Sequence, residues 1–259
     1  MANEMRIACI TDEVPWFWDA FVAEAQKQAD AKQKTLVVDV FQQFEIEFLR
    51  DYCFLWVNPN FSHLILPNVS TLPEPIRASM VLDSFVSDGR KLYPRNLFVD
   101  ALHDALVLEI RNLDIRMGAY VTGCDSWAKA AMVVLIRMGY SKLFMCDENH
   151  DCVKRVVAEL KTRYLGIHLE EVESDHLTSV TEPGSILINC AHFGMDPIFQ
   201  VNVLYLNYLV DSSVIVDWGQ PEEKSALMEE GGRAQLRTLS GQRLWEFYFK
   251  RLSQALEKC

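Results

Sequence analysis

A turn at Gly123 poses the first chemical question in this 259-residue chain. From Gly118 to Cys146 (GAYVTGCDSWAKAAMVVLIRMGYSKLFMC) the residues read as strand, tight glycine turn, helix and strand. That is the plan of a βαβ unit that binds a dinucleotide. Such a unit sets a pyrophosphate against backbone N–H groups at a helix N-terminus, and a second glycine two residues on lets the backbone come close. Here Asp125 takes that place, and Trp127 follows where a small residue is expected. A carboxylate repels phosphates, and an indole fills their space. Asp125 and Ser126 are also good helix N-caps, a role that needs no ligand. Trp127 reads either as core between helix and sheet or as a plug in the vacated phosphate site.

Asp147 lies past the unit's second strand, where an acid about 20 residues on from the turn bonds a ribose hydroxyl and selects NAD. A solvated strand end is its other reading. The candidate cofactor-binding residues are therefore Gly123 and Asp147. His192 follows Cys190 by two residues and reads as an acid–base group or as a satisfied loop histidine. Trp16 and Trp18, on the first helix, read as core or as binding surface. His-Glu-x-x-His, Cys/His ligand spacing and Gly-x-Ser-x-Gly are all missing, so neither a metal site nor an activated serine is expected.

These residues need a scaffold. In the first half, Arg6 to Ile10 and Thr35 to Val40 are short β-branched runs expected to be buried strands. A helix starting near Pro15 lies between them. Phe44 to Tyr52 reads as a helix, His63 to Leu66 as a strand ending at Pro67, and a short helix runs to Met80. Asn96 to Ile110 carries a helical stripe of Phe98, Ala101, Leu102, Ala105 and Leu106, expected as a hinge helix. In the second half, Ala119 to Thr122, Lys142 to Cys146, His168 to Val172, Ser185 to Asn189 and Val214 to Asp217 read as strands. Gly139 and Gly166 sit where helices stop. The alternation implies a parallel sheet covered on both faces. Gln242 to Leu256 is an amphipathic helix expected to return to the first domain.

The length suits two modest domains, and 50% hydrophobic residues supply a core. A formal charge of −11 argues against nucleic acid and anionic membrane surfaces as partners. No apolar run spans a bilayer and no leader is evident at MANEMRIACITDEVP. Seven cysteines without a Cys-x-x-Cys pair point to reduced thiols in a cytoplasmic setting.

Three strings, in order, resemble shikimate dehydrogenase: GRKLYPRNLFVDALHDAL at 89–106, ILINCAHFGM at 186–195 and VNVLYLNYLVDSSVIVDWGQP at 201–221. They look like that family's lead into its hinge helix, its strand and loop beside the nicotinamide, and the following helix, strand and loop. The resemblance covers roughly Arg6 to Ala255. It implies an α/β fold of two domains: an N-terminal substrate-type domain (1–100 with 240–259) and a C-terminal Rossmann-like parallel sheet (101–239). The implied activity is NADP-dependent reduction of a 3-dehydroshikimate-type ketone.

The departures from that family fall on its chemistry. Its lysine closes Asn-Val-Thr-Ile-Pro-x-Lys; this chain reads Asn68-Val69-Ser70-Thr71-Leu72-Pro73-Glu74, with Arg77 the nearest cation downstream. Its aspartate follows Asn-Thr; here Phe98 follows Asn96-Leu97. Its Ser-x-Ser-Pro is matched by Asp12-Glu13-Val14-Pro15, and its substrate glutamine by Tyr248. Its Gly-x-Gly-Gly becomes Gly123-Cys124-Asp125-Ser126, and its phosphate-clamping Asn-Arg-Thr becomes Asp147-Glu148-Asn149.

These losses predict a catalytically inactive protein with no catalytic residues and no cofactor, serving as a binding, structural or regulatory component. Its groove would be lined by Phe98, Trp127 and Tyr248, and its partner would be another protein or a small apolar ligand. Two alternatives stand beside it. One is an NAD-dependent oxidoreductase with a different small substrate, supported by Asp147. The other is a small-molecule sensor that closes on its ligand.

Overall fold

The computed structural model describes residues 4–43, 51–87, 91–191, 197–219 and 224–259. The chain divides into two compact units, Met1–Ala101 with Tyr248–Cys259, and Leu102–Phe247.

The first unit holds a five-stranded sheet ordered β2-β1-β3-β4-β5. Strands β1 (Glu4–Ile10), β2 (Thr35–Phe41) and β3 (Phe54–Val57) are mutually parallel. Strands β4 (Ser84–Ser87) and β5 (Leu92–Arg95) form an antiparallel hairpin beside β3. Helix α1 (Trp18–Ala31) follows β1 and buries Phe21, Ala25 and Ala29, the i, i+4, i+8 row of an amphipathic helix. Pro15 lies just outside it, its carbonyl accepting from the Trp18 N–H.

The expected strand His63 to Leu66 is instead a short helix, α2 (Ser62–Ile65), continued by a 3₁₀ turn over Leu66–Asn68. The strand of this region is the four-residue run Phe54–Val57, the central strand of the sheet and buried throughout. Pro59 opens a 3₁₀ turn behind it, capped by the Asn58 side chain. The expected helix Phe44 to Tyr52 falls mostly outside the described residues, and Asp51 to Cys53 are not helical. Helix α3 (Glu74–Ser79) stops at Met80 in a left-handed conformation.

Helix α4 (Leu97–Glu109) crosses from the first unit into the second. The second unit is an all-parallel sheet ordered β11-β10-β9-β6-β7-β8. Its strands are β6 (Gly118–Thr122), β7 (Lys142–Cys146), β8 (His168–Glu171), β9 (Gly184–Asn189), β10 (Leu209–Asp217) and β11 (Arg237–Leu239). The three-residue β11 is too short to be read from sequence. The intervening helices are α5 (Ser126–Arg137), α6 (His150–Arg163), α7 (Pro197–Leu204) and α8 (Ala226–Arg233). In α6, Val153, Val156, Val157 and Leu160 form one buried stripe, and the Asn149 side chain caps its first turn. Helix α9 (Gly241–Leu256) ends the chain, with the division between units falling inside it at Phe247 and Tyr248.

Each unit has its own core. The second gathers Tyr120, Phe144, Tyr208, Leu187 and Ile215. The first gathers Ile10, Leu55, Val57, Leu82 and Phe85. Each fully buried side chain of this size contributes about 1.5–3 kcal/mol over its exposed state. No described helix is long and apolar enough to cross a membrane.

Candidate functional site

The strand order of the second sheet reverses between β6 and β9, and in open α/β sheets ligands bind outside the carboxyl ends at that point. Gly123 sits there, directly after β6, with φ +100°. Its N–H donates to the Cys146 carbonyl at 2.9 Å, so Gly123 and Asp147, the residue after Cys146, stand at the ends of neighbouring strands. A Cβ at Gly123 would lie 3.0 Å from both Ala191 N and the Cys190 carbonyl carbon. The glycine is therefore required by close backbone approach of the β6 and β9 ends, whether or not a phosphate ever lies above it.

The next residues are committed within the chain. Asp125 has extended backbone, and its carboxylate accepts the Ala128 N–H at 2.9 Å. It is the N-cap of α5, and it puts a negative charge where the helix dipole favours an anion. Trp127 is half-buried and packs on Trp218, ring centroids 5.3 Å apart; Trp218 stacks on Trp245 at 4.5 Å. Cys124 is joined to Cys152, near the start of α6, with Cα atoms 5.9 Å apart. This corrects the expectation of wholly reduced thiols: the two residues are distant in sequence, and the βαβ fold brings them together. Asp147 is half-buried, and its Oδ1 accepts the Asn149 N–H at 2.8 Å. Burial raises its carboxyl above the usual range.

Beneath the turn lies a buried polar network that the sequence did not reveal. Asn189 ends β9. Its Oδ1 accepts from Thr122 Oγ1 at 2.6 Å and from the Ala191 N–H at 3.1 Å. Its Nδ2 donates to Asp217 Oδ1 at 2.7 Å and to the Ala191 carbonyl at 3.2 Å. All four hydrogen-bonding positions of this amide are thus filled by the protein. The other Asp217 oxygen accepts from Ser225 Oγ. A Cβ at Gly219 would overlap the Ala191 carbonyl oxygen, so the β10 turn is packed onto the same knot. The Cys190 thiol is fully buried, and desolvation, helped by Asp125 and Asp217, pushes it well above its ordinary value. It stays protonated and is a poor nucleophile. His192 lies outside the described residues.

In the first unit, Asp12 accepts its neighbour's N–H, that of Glu13, and the Asn58 amide, both at 3.0 Å. Glu74 begins α3 and is exposed, as is Arg77. Phe98 and Tyr248 are both 0% exposed. They are core residues of the first unit, so neither side chain is offered to a ligand there. Between them is Asp83, a fully buried carboxyl that sequence reasoning missed. It accepts the Leu97 and Phe98 N–H groups at 2.9 and 2.8 Å and the Ser84 hydroxyl at 2.9 Å. Nearby, the Tyr248 hydroxyl accepts from Trp56 Nε1 at 2.9 Å. Burial lifts the Asp83 carboxyl from 3.8 to about 7, against the lowering pull of its hydrogen bonds. It lies just before β4 in sequence, 14 residues before the helix whose first N–H groups it accepts, so no local pattern points to it.

No protein-family model matches the chain, and no curated protein does. Solved structures do. Quinate dehydrogenase from Corynebacterium glutamicum, in complex with NAD, superposes with TM-score 0.78 at 14% identity, over 98% of this chain and 94% of that one. Shikimate 5-dehydrogenase from Listeria monocytogenes, with shikimate and NAD, gives TM-score 0.75 at 12% identity, over 99% and 91%. The enzyme from Thermus thermophilus, with NADP(H) and shikimate, gives 0.68 at 10% identity, over 97% and 98%. The chain therefore has the shikimate dehydrogenase fold, an α/β architecture with a Rossmann-type parallel sheet and a mixed sheet.

Proposed function

We propose that the chain is a non-catalytic protein of the shikimate dehydrogenase fold, acting as a binding, structural or regulatory component without a dinucleotide cofactor. The observation that carries this reading is the Asp125 carboxylate on the Ala128 N–H. The helix N-terminus that would receive a pyrophosphate already holds an anion of the chain's own. The satisfied amide of Asn189 and the protonated, buried Cys190 support the same reading, since neither is available to a nicotinamide or a substrate. In the first unit, Phe98 replaces a proton-handling group with hydrocarbon, and one positioned acid or base contributes about 10²–10⁴-fold to rate. The corresponding role is recognition of another protein or of a small apolar ligand.

The reading keeps a cytoplasmic setting. There the Cys124–Cys152 bond would form under oxidation and would not be a permanent staple.

A second reading, an NAD-dependent oxidoreductase with another substrate, is favoured by Asp147 standing at the end of β7. A thermal-shift series with NAD, NADP and shikimate separates the two. The non-catalytic reading expects an unmoved melting temperature for all three. A rise with NAD alone would establish the second, because a ligand at 100 times its Kd adds about 2.7 kcal/mol.

A further inference from the structure

Two strands away from β6 and its Gly123 turn, the outer edge of the second sheet carries a cavity of about 770 Å³ beside β8, lined in part by His150, Lys154, His168, Glu170, Glu173 and His176. At its rim, Glu173, Asp175 and His176 each offer one ligand atom, and these atoms all lie within 4.8 Å of one another. Glu173 Oε2 is 3.7 Å from His176 Nδ1. Its other oxygen, Oε1, is 3.3 Å from Nε2 of His150. Glu173, Asp175 and His176 belong to the segment after β8, whereas His150 is the first residue of α6. Two separate elements thus aim imidazoles at opposite oxygens of one carboxylate.

The tautomer of His150 follows from its surroundings. Its Nδ1 is buried without a hydrogen-bond partner. A buried N–H left unpaired costs about 1–3 kcal/mol, so the proton sits on Nε2, the nitrogen that faces Glu173 Oε1 at 3.3 Å. This contact holds Oε1 toward α6 and leaves Oε2 on the side of His176, the way outer groups orient ligating carboxylates. Zinc–nitrogen and zinc–oxygen bonds of about 2.0–2.2 Å place tetrahedral ligands roughly 3.3–3.5 Å apart. The separation of Glu173 and His176 needs only a small closure to reach that. Two carboxylates and a neutral imidazole leave two negative charges for a dication to neutralise. The imidazole favours a transition metal over Mg²⁺ or Ca²⁺, which take all-oxygen sets.

We propose that Glu173, Asp175 and His176 bind a divalent transition metal such as Zn²⁺, with His150 positioning Glu173. Three protein ligands leave a coordination position open, the arrangement of sites that also take water or a ligand.

Calorimetric titration of the full chain with Zn²⁺ alone, in chelator-free buffer, tests this. The expected result is one ion per chain, undiminished by a tenfold excess of Mg²⁺. His176→Ala and Glu173→Gln should each weaken binding at least tenfold, and His150→Gln by about 10–100-fold, the usual effect of losing an outer partner. Glu173 and His176 are exposed, so the urea midpoints of their variants should stay at the wild-type value, and the midpoint of His150→Gln, whose side chain is half-buried, reports whether that variant folds. Absence of saturable binding, or binding unchanged in both His176→Ala and Glu173→Gln, overturns the proposal.

Discussion

Asn189 donates to Asp217 Oδ1 across 2.7 Å, tying the ends of β9 and β10 together where both side chains are buried. Removing one partner leaves the others unsatisfied in a low-dielectric interior, which is costlier than the bond itself is worth. Asn189→Ala should therefore destabilise the protein by on the order of 2–4 kcal/mol in urea denaturation. A loss under about 0.5 kcal/mol, the range of ordinary surface substitutions, would show the network to be unimportant.

Gly123 and Gly166 make a matched pair. Both have positive φ, but a Cβ at Gly166 meets nothing within 4 Å, whereas at Gly123 it meets backbone atoms at 3.0 Å. Both alanine variants should lose about 1 kcal/mol to the left-handed conformation. Gly123→Ala should lose roughly 1–3 kcal/mol more, the usual cost of overpacking. Equal melting temperatures for the two variants would contradict the close approach of the β6 and β9 ends.

Much of the second unit was legible because its signals are local. Lys142 to Cys146 is an apolar run after a helix-stopping Gly139, and the structure gives β7 the same bounds. The first unit was harder. Phe54–Val57 and the apolar residues around Leu64 compete for one strand, and only tertiary packing chose between them. The candidate site was legible only in part. Asp125 as a cap follows from its place before an alanine-rich helix. The bonds of Asn189 to Thr122 and Asp217 join three strands, and no local pattern encodes them. Asp83 and the Cys124–Cys152 pair were invisible for the same reason.

Asp83 should leave a mark on stability as a function of pH. Its folded carboxyl titrates near 7, above the ordinary 3.8. Its contribution is complete below pH 3.8 and is lost as pH rises to about 7, because the unfolded chain releases the proton first. The loss amounts to a few kcal/mol at most. Asp83→Asn cannot titrate, so its stability, measured by denaturation at intervals from pH 4 to pH 8, should lack that fall. Parallel curves for both proteins would place the Asp83 proton elsewhere.

The Cys124–Cys152 bond closes a loop with a sequence separation of 28. In the chain-entropy description such a loop stabilises by about 3–4 kcal/mol. Alkylation of air-exposed, denatured protein followed by mass measurement should find five free thiols among the seven cysteines. Reductant should lower the melting temperature of the wild type and leave that of Cys152→Ser unmoved. Seven alkylated thiols would mean that the pair stays reduced.

The claim that the phosphate-binding turn is filled by the chain's own groups is tested most directly by isothermal calorimetry of the intact protein with NAD and with NADP. No saturable heat for either nucleotide at millimolar concentration is the predicted result. Stoichiometric binding of either one that is abolished by Gly123→Trp, in a variant that remains folded, would contradict it.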